Sequence, residues 1–287
     1  MEVAILKPDD RTLRGFIRHF YFLTSEKADF RQSYVTFPQL TTPLSLFTQA
    51  RTRLDAGRRH ASVWFDPNSK PHGEVDGIFT RPMIISYRGI IDEVTIVFEP
   101  LGLNQFLRCN LSDVAVGPAA RRFNPYGAAF DQLLSKLFAT KDRHQRRNLL
   151  EEFFLAQYQP FNNVVVSDSL KWLIETDNMS ISQIAQSAGV SHKTFTRMLL
   201  RHLGTTPVVL RKIARFRRSL ELSFVRRSRH TSTEIALLCD YYDQSQFIKQ
   251  YHQLAGDSPM RLFRNISNLG GEQIFWRMLS GTPSLSN

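Results

Sequence analysis

Lys193, Thr196 and Arg197 stand at i, i+3 and i+4 in a stretch whose apolar residues are Phe195 and Leu199. A helix here turns Phe195 and Leu199 inward and the three polar side chains outward. His192 falls near the helix start, within reach of a phosphate or a base edge. Lysine and arginine donors match guanine O6 and N7. The chemistry on offer is therefore recognition of a base edge, not bond making. A second group lies in Arg211-Lys-Ile-Ala-Arg-Phe-Arg-Arg218, where five of eight residues are basic. Arg215 and Arg218 of that run suit phosphate contact. A solvated helix face is the alternative reading.

No comparable grouping supports catalysis. His19, His60 and His72 are single and widely spaced, and His72-Gly-Glu74 reads as a surface turn. A barrel enzyme would need clustered histidine and carboxylate ligands. No Ser/His/Asp set and no glycine-rich phosphate loop stands out. The two cysteines, Cys109 and Cys239, cannot build a disulfide framework or a four-cysteine zinc site. Cys239 reads as a buried structural thiol. The expectation is no catalytic residue, no metal, no cofactor and no enzyme.

Charge points the same way as the polar faces. Lys+Arg 37 against Asp+Glu 26 leaves +11, which favours a polyanionic partner. From Asp168 to Arg264 there are 15 basic and 8 acidic residues, net +7. No apolar run reaches the roughly 18 residues of a membrane span. The N-terminus, Met1-Glu-Val-Ala-Ile-Leu-Lys-Pro, lacks the pattern of a signal peptide. A cytoplasmic protein with no membrane partner is expected.

An internal repeat supplies the elements that must hold the polar faces. Ala185 and Ala236 are 51 residues apart, as are Gly189 and Asp240. Phe195 and Phe247, Leu199 and Tyr251, Gly204 and Gly256, and Pro207 and Pro259 are each 52 apart. Ser180-x-x-Gln183 and Thr231-x-x-Glu234 are capping boxes. Ser191 and Asp243 cap the helices that follow. Small Ala185 permits a close helix crossing, and Gly189 permits a left-handed turn. Each copy reads as a helix-turn-helix, joined by one long helix over Pro207–Phe224. Gln244, Ser245 and Lys249 occupy the second copy's matching outward positions.

The chain's 287 residues allow two domains at about 150 residues each. Short β-branched or aromatic runs at Phe16–Leu23, Ser45–Thr48, Ser62–Phe65, Met83–Tyr87 and Val94–Phe98 read as strands. Arg51, Arg53, Arg58 and Arg59 read as solvated residues flanking a turn. Leu101–Cys109 reads as a short helix, and helical spacing returns at Ala128–Phe138 and around Leu149–Phe154. Lys141–Arg147 between them reads as solvated surface. Phe16, Phe20, Phe22, Phe37, Phe47, Trp64, Phe65 and Phe79 read as core aromatics, with an apolar effector pocket as the alternative. The fold class expected is α+β. A β-rich sandwich or barrel with flanking helices spans 1–160, an all-α double helix-turn-helix of seven helices spans 161–268, and a tail spans 269–287.

Ile181–Phe263 resembles the DNA-binding domain of the arabinose-regulator (AraC/XylS) family of bacterial transcription factors. The resemblance rests on Ser191-His-Lys-Thr-Phe-Thr-Arg197 with Leu203-Gly-Thr-Thr-Pro207, and on Ala214-Arg-Phe-Arg-Arg-Ser-Leu220. It rests further on Ile235-Ala, Tyr242-Asp-Gln-Ser-Gln-Phe247 and Gly256-Asp-Ser-Pro259. Asp240 departs from the family's glycine and Lys249 from its arginine. More loosely, Ile96-Val-Phe-Glu-Pro-Leu-Gly-Leu103 resembles a sensor region of the family. The resemblance implies a regulator that binds double-stranded DNA. Base contacts are implied at His192, Lys193, Thr196, Arg197, Gln244, Ser245 and Lys249, with Arg215 and Arg218 on phosphates. It also implies a small-molecule effector or homodimer contact in the N-terminal domain, and RNA polymerase as a partner if the chain is an activator. The alternatives are an enzyme built on the N-terminal barrel and a basic scaffold for an acidic protein.

Overall fold

A computed structural model of the chain describes residues 1–57, 59–114, 122–175, 179–225, 231–268 and 275–279. The strands are β1 (Glu2–Leu6), β2 (Ile17–Ser25), β3 (Arg31–Thr36), β4 (Thr42–Phe47), β5 (Ala50–Leu54), β6 (His60–Phe65), β7 (His72–Val75), β8 (Met83–Arg88), β9 (Ile91–Phe98), β10 (Ser267–Asn268) and β11 (Phe275–Leu279). The helices are α1 (Leu111–Val114), α2 (Ala128–Ala139), α3 (Arg143–Gln157), α4 (Val164–Glu175), α5 (Ile181–Ser187), α6 (His192–Leu203), α7 (Pro207–Val225), α8 (Ser232–Leu238), α9 (Gln244–Ala255) and α10 (Pro259–Asn265). Among the described residues, no helix is long and apolar enough to cross a membrane.

One sheet has the order β1-β2-β9-β4-β7, and the other β10-β11-β3-β8-β6-β5. All eight residues of β9 are buried because both faces of its sheet are covered. On one face Phe20, Phe22, Val94, Ile96 and Phe98 pack with Phe130, Leu134 and Leu137 of α2 and with Leu150 and Phe154 of α3. Each such side chain, fully buried, contributes about 1.5–3 kcal/mol. On the other face Tyr21, Ser45, Glu93 and Val97 line the space between the sheets. Strand alternation makes this division, since successive side chains point to opposite faces.

A buried ion pair fixes α3 on the sheet. Arg146 is 1% exposed. Its guanidinium donates to both oxygens of Asp92 at 2.7 and 2.8 Å, and its Nε donates to the Thr140 carbonyl at 2.7 Å. Lys141 Nζ adds a bond to Asp92 at 2.8 Å. Burial alone would raise the Asp92 carboxyl, but the bonds from Arg146 and Lys141 outweigh it and hold the group below its ordinary value.

The second sheet reaches across the chain. Strand β11 pairs antiparallel with β3, placing Trp276 opposite Thr36 and Leu279 opposite Ser33. Trp276 stacks on Tyr34 with centroids 4.2 Å apart. Val35 and Phe37 share one core with Ile213, Phe216, Phe247 and Phe275. Asn104 Nδ2 donates to the His202 carbonyl at 3.0 Å, another tie between the β-rich and helical halves.

The helical half repeats one local design. Ser180 and Thr231 each form a complete capping box, with Gln183 and Glu234 respectively. Ser191 and Asp243 accept the amides of Thr194 and Gln246. Ala185 is 1% exposed in a core with Val166, Leu173, Phe195 and Leu199, and Ala236 holds the equivalent place beside Phe247 and Tyr251. Gly189 turns the first copy at φ +71°, and Asp240 takes the same left-handed conformation at φ +58°. Aspartate tolerates this region better than most non-glycine residues. Gly204 and Gly256 end α6 and α9 at φ +69° and +70°.

Several local expectations need correction. His72-Gly-Glu74 lies on β7, with His72 buried against Phe47, because β7 pairs with β4. Arg51, Arg53 and Arg59 are exposed and flank the turn between β5 and β6, as expected, while Arg58 lies outside the described residues. Within Lys141–Arg147, Arg146 is core rather than solvated surface, since Asp92 neutralises it. Leu101–Cys109 forms only a short 3-10 turn at Leu103–Gln105. Strands β1, β3, β5, β7, β10 and β11 lie outside the runs that the residue pattern marks as strands. Cys239 is fully buried, and burial pushes its thiol pKa up to about 12.

Asp92→Ala leaves the Arg146 charge uncompensated in the core, and unfolding stability should fall by about 3–5 kcal/mol in urea titration. The Asp92 pKa is depressed on folding. Its contribution is therefore present above the unfolded value and lost as pH falls through the folded one. The gap between wild type and variant should narrow below about pH 4. Ala185→Leu should overpack the first helix crossing and cost about 1–3 kcal/mol. An unchanged melting temperature would remove Ala185 from a tight crossing.

Candidate nucleic-acid interface and interior cavity

Helix α6 presents His192, Lys193 and Arg197 to solvent, while Phe195 and Leu199 are buried. The three exposed side chains make no hydrogen bond or ion pair with any described residue. Thr196 is half-buried, and its hydroxyl turns inward without a hydrogen-bond partner among the described residues. Arg201 lies one turn beyond Arg197 on the same exposed face. Extending the i, i+4 step from Lys193 through Arg197 would have found it. On α9, Gln244, Ser245 and Lys249 are exposed opposite buried Phe247 and Tyr251. Lys212 Nζ on α7 donates to Gln253 Oε1 at 3.0 Å and so ties α7 to α9.

Arg215 and Arg218 sit where α7 meets the second turn. Arg215 Nη1 donates to the Asp240 carbonyl at 3.1 Å, and its guanidinium lies over the Tyr241 ring at 5.5 Å. Arg218 Nη1 donates to the Glu175 carbonyl at 3.2 Å and lies 3.3 Å from Asp240 Oδ2. Both arginines thus hold the turn whose left-handed residue is not glycine. Beside them Arg217 is buried, with its guanidinium 4.7 Å over the Phe275 ring of β11, and burial lowers its pKa to about 10.

A cavity of about 130 Å³ lies between the two sheets. Glu93, 1% exposed, forms part of its wall. The Tyr87 hydroxyl donates to Glu93 Oε2 at 2.7 Å, and Thr95 donates to Oε1 at 2.8 Å. The Tyr21 hydroxyl lies 3.4 Å from the same Oε1. Burial raises the Glu93 carboxyl, and these hydroxyl bonds only partly offset it. Tyr34, Phe47 and Trp276 supply ring walls. The expected apolar pocket is therefore mixed. Phe47 and Phe79 border it, whereas Phe20 and Phe22 belong to the helix-side core. No group of His, Cys, Asp and Glu fit to hold a metal occurs among the described residues.

Residues 184–265 match the family model described as a helix-turn-helix domain. No curated protein matches the chain in sequence. ToxT from Vibrio cholerae aligns over 85% of this chain and 98% of its own, at 10% identity and a TM-score of 0.44. Its structure with an unsaturated fatty acid bound aligns over 84% and 94%, at 12% identity and a TM-score of 0.42. Residues 184–265 are thus a helix-turn-helix domain of the AraC type.

Proposed function

We propose that α6 and α9 are two recognition helices that enter successive major-groove segments on one face of duplex DNA. One helical turn, about 34 Å, would separate the segments. The observation that carries this reading is the matched pair of capped helices with exposed polar faces, α6 packed on α5 and α9 on α8 and α7. Lys193 and Arg197 would address guanine edges, and Gln244 would address adenine. Thr196, its hydroxyl turned inward, would offer its methyl to thymine. His192, Ser245 and Lys249 complete the two reading faces. Arg215 and Arg218 would meet phosphates.

In this reading residues 1–160 sense and 161–268 bind DNA, while β11 of the 269–287 segment serves the sensing half. The cavity between the sheets is the seat of a small-molecule effector. Occupancy would shift the population competent for DNA. Trp276 supports the link, because it walls the cavity from a strand that adjoins the helical half. As an activator the chain would meet RNA polymerase from its DNA-bound state, and a homodimer would occupy two such sites.

Binding-site selection with two variants tests the division of labour. Arg197→Ala should change base preference in one half of the site and cost about 1–3 kcal/mol there. Arg218→Ala should weaken all sequences alike and reduce the salt slope by about one unit. A parallel melt separates loss of the Asp240 contact from loss of a phosphate contact. An unchanged selected motif for Arg197→Ala, with an altered one for Arg218→Ala, would reverse the assignment of the groove-facing helix.

A further inference from the structure

Glu93 in the β-rich half is a buried carboxyl that takes no part in contact with DNA. It sits on the central strand of its sheet, buried, and faces the cavity. Its hydrogen-bond partners are the neutral hydroxyls of Tyr87, Thr95 and Tyr21. No described lysine or arginine forms an ion pair with it. A buried carboxylate without a counter-charge is costly. Burial accordingly pushes the Glu93 carboxyl up.

The surrounding charges do not relieve that cost. Arg18 borders the cavity but is engaged with Glu99, its Nε and Nη2 donating at 2.8 and 2.7 Å. Arg53 is exposed. Two further carboxyls, Glu74 and Asp76, border the same space, as does His19. The Thr52 hydroxyl donates to Glu74.

Aromatic rings complete the wall. Tyr34 stacks between Trp276 at 4.2 Å and Tyr87 at 6.0 Å, and Tyr21 meets Trp276 edge-on at 6.1 Å. Ring faces attract a cation, most strongly where water is excluded. The volume, 130 Å³, is close to that of engineered cavities of about 150 Å³ that accept benzene. The occupant must be compact.

We propose that this cavity binds a small organic cation, an ammonium or guanidinium compound, held by the Glu93 carboxylate against the aromatic wall that Tyr87 and Trp276 border. This rests on the reading of the cavity as an effector site, and it names the ligand's chemical class. The cation supplies the missing counter-charge, so binding and ionisation of Glu93 reinforce one another. A neutral ligand of the same shape gains the packing alone.

The test uses the full-length protein, calorimetric titration and four probes. Tetramethylammonium and choline are the cations. The neutral isostere of choline, 3,3-dimethyl-1-butanol, and the anion benzoate are the controls. At least one cation should bind saturably, and the neutral isostere should bind at least tenfold more weakly than choline. Glu93→Gln should lower cation affinity at least tenfold and leave the isostere's unchanged. The comparison of choline with its isostere needs no variant, so a folding defect in Glu93→Gln would not obscure the result. If the isostere or benzoate binds as tightly as the cations, the cation assignment fails and the effector cavity stands. If none of the four binds at millimolar concentration, both fail.

Discussion

Strand β9 has water on neither face, and the rest of the β-rich half is arranged around that constraint. Its side chains divide by alternation. Val94, Ile96 and Phe98 fill the core under α2 and α3, while Glu93 and Val97 border the space between the sheets and Thr95 bonds to Glu93. Adjacent carboxyls on one strand therefore meet opposite environments. Asp92 faces the helices, where Arg146 and Lys141 neutralise it. Glu93 faces hydroxyls and rings. Moving the pairing by one residue would exchange these partners and bury two wrong charges, so both carboxyls help to define the register.

The helical half depends on two left-handed turns instead. Gly189 makes the first at no steric cost. Asp240 makes the second with a side chain, and that side chain is used, since its carboxylate approaches Arg218 while its carbonyl accepts from Arg215. The two copies thus reach one geometry by different means. The first is held by packing around Ala185 and Phe195. The second adds a polar fastening to α7, the helix that spans both copies.

The legible parts of this molecule are those whose signals are local. Both capping boxes, the small alanines and the end glycines sit within a few residues of what they determine, and the double helix-turn-helix follows from them. Strands β2, β4, β6, β8 and β9 announced themselves by β-branched and aromatic runs. The missed features depend on distant partners. Arg146 sits in a charged run, and its counter-ion lies 54 residues earlier. Strand β11 has little meaning without β3, more than 230 residues away in sequence. Glu93 is one of two adjacent acids in β9, and only the closure of two sheets places it beside Tyr87. On α6 and α9 the outward positions are legible from period alone, whereas the inward turn of the Thr196 hydroxyl is not.

The pairing of β11 with β3 also bears on the order in which the chain is made. Strand β3 lies within the first forty residues, yet one of its edges waits for a partner that follows every helix of the helical half. A ribosome emits that partner many seconds later, at about 5–20 residues per second. Until then β3 presents open backbone groups, a template for pairing with another chain. A product cut short before residue 275 keeps that open edge and lacks the Trp276 wall of the cavity. Such a fragment carries both helix-turn-helix copies without the strand that joins them to the sheet, so completeness of translation is written into the architecture as a condition for a closed second sheet.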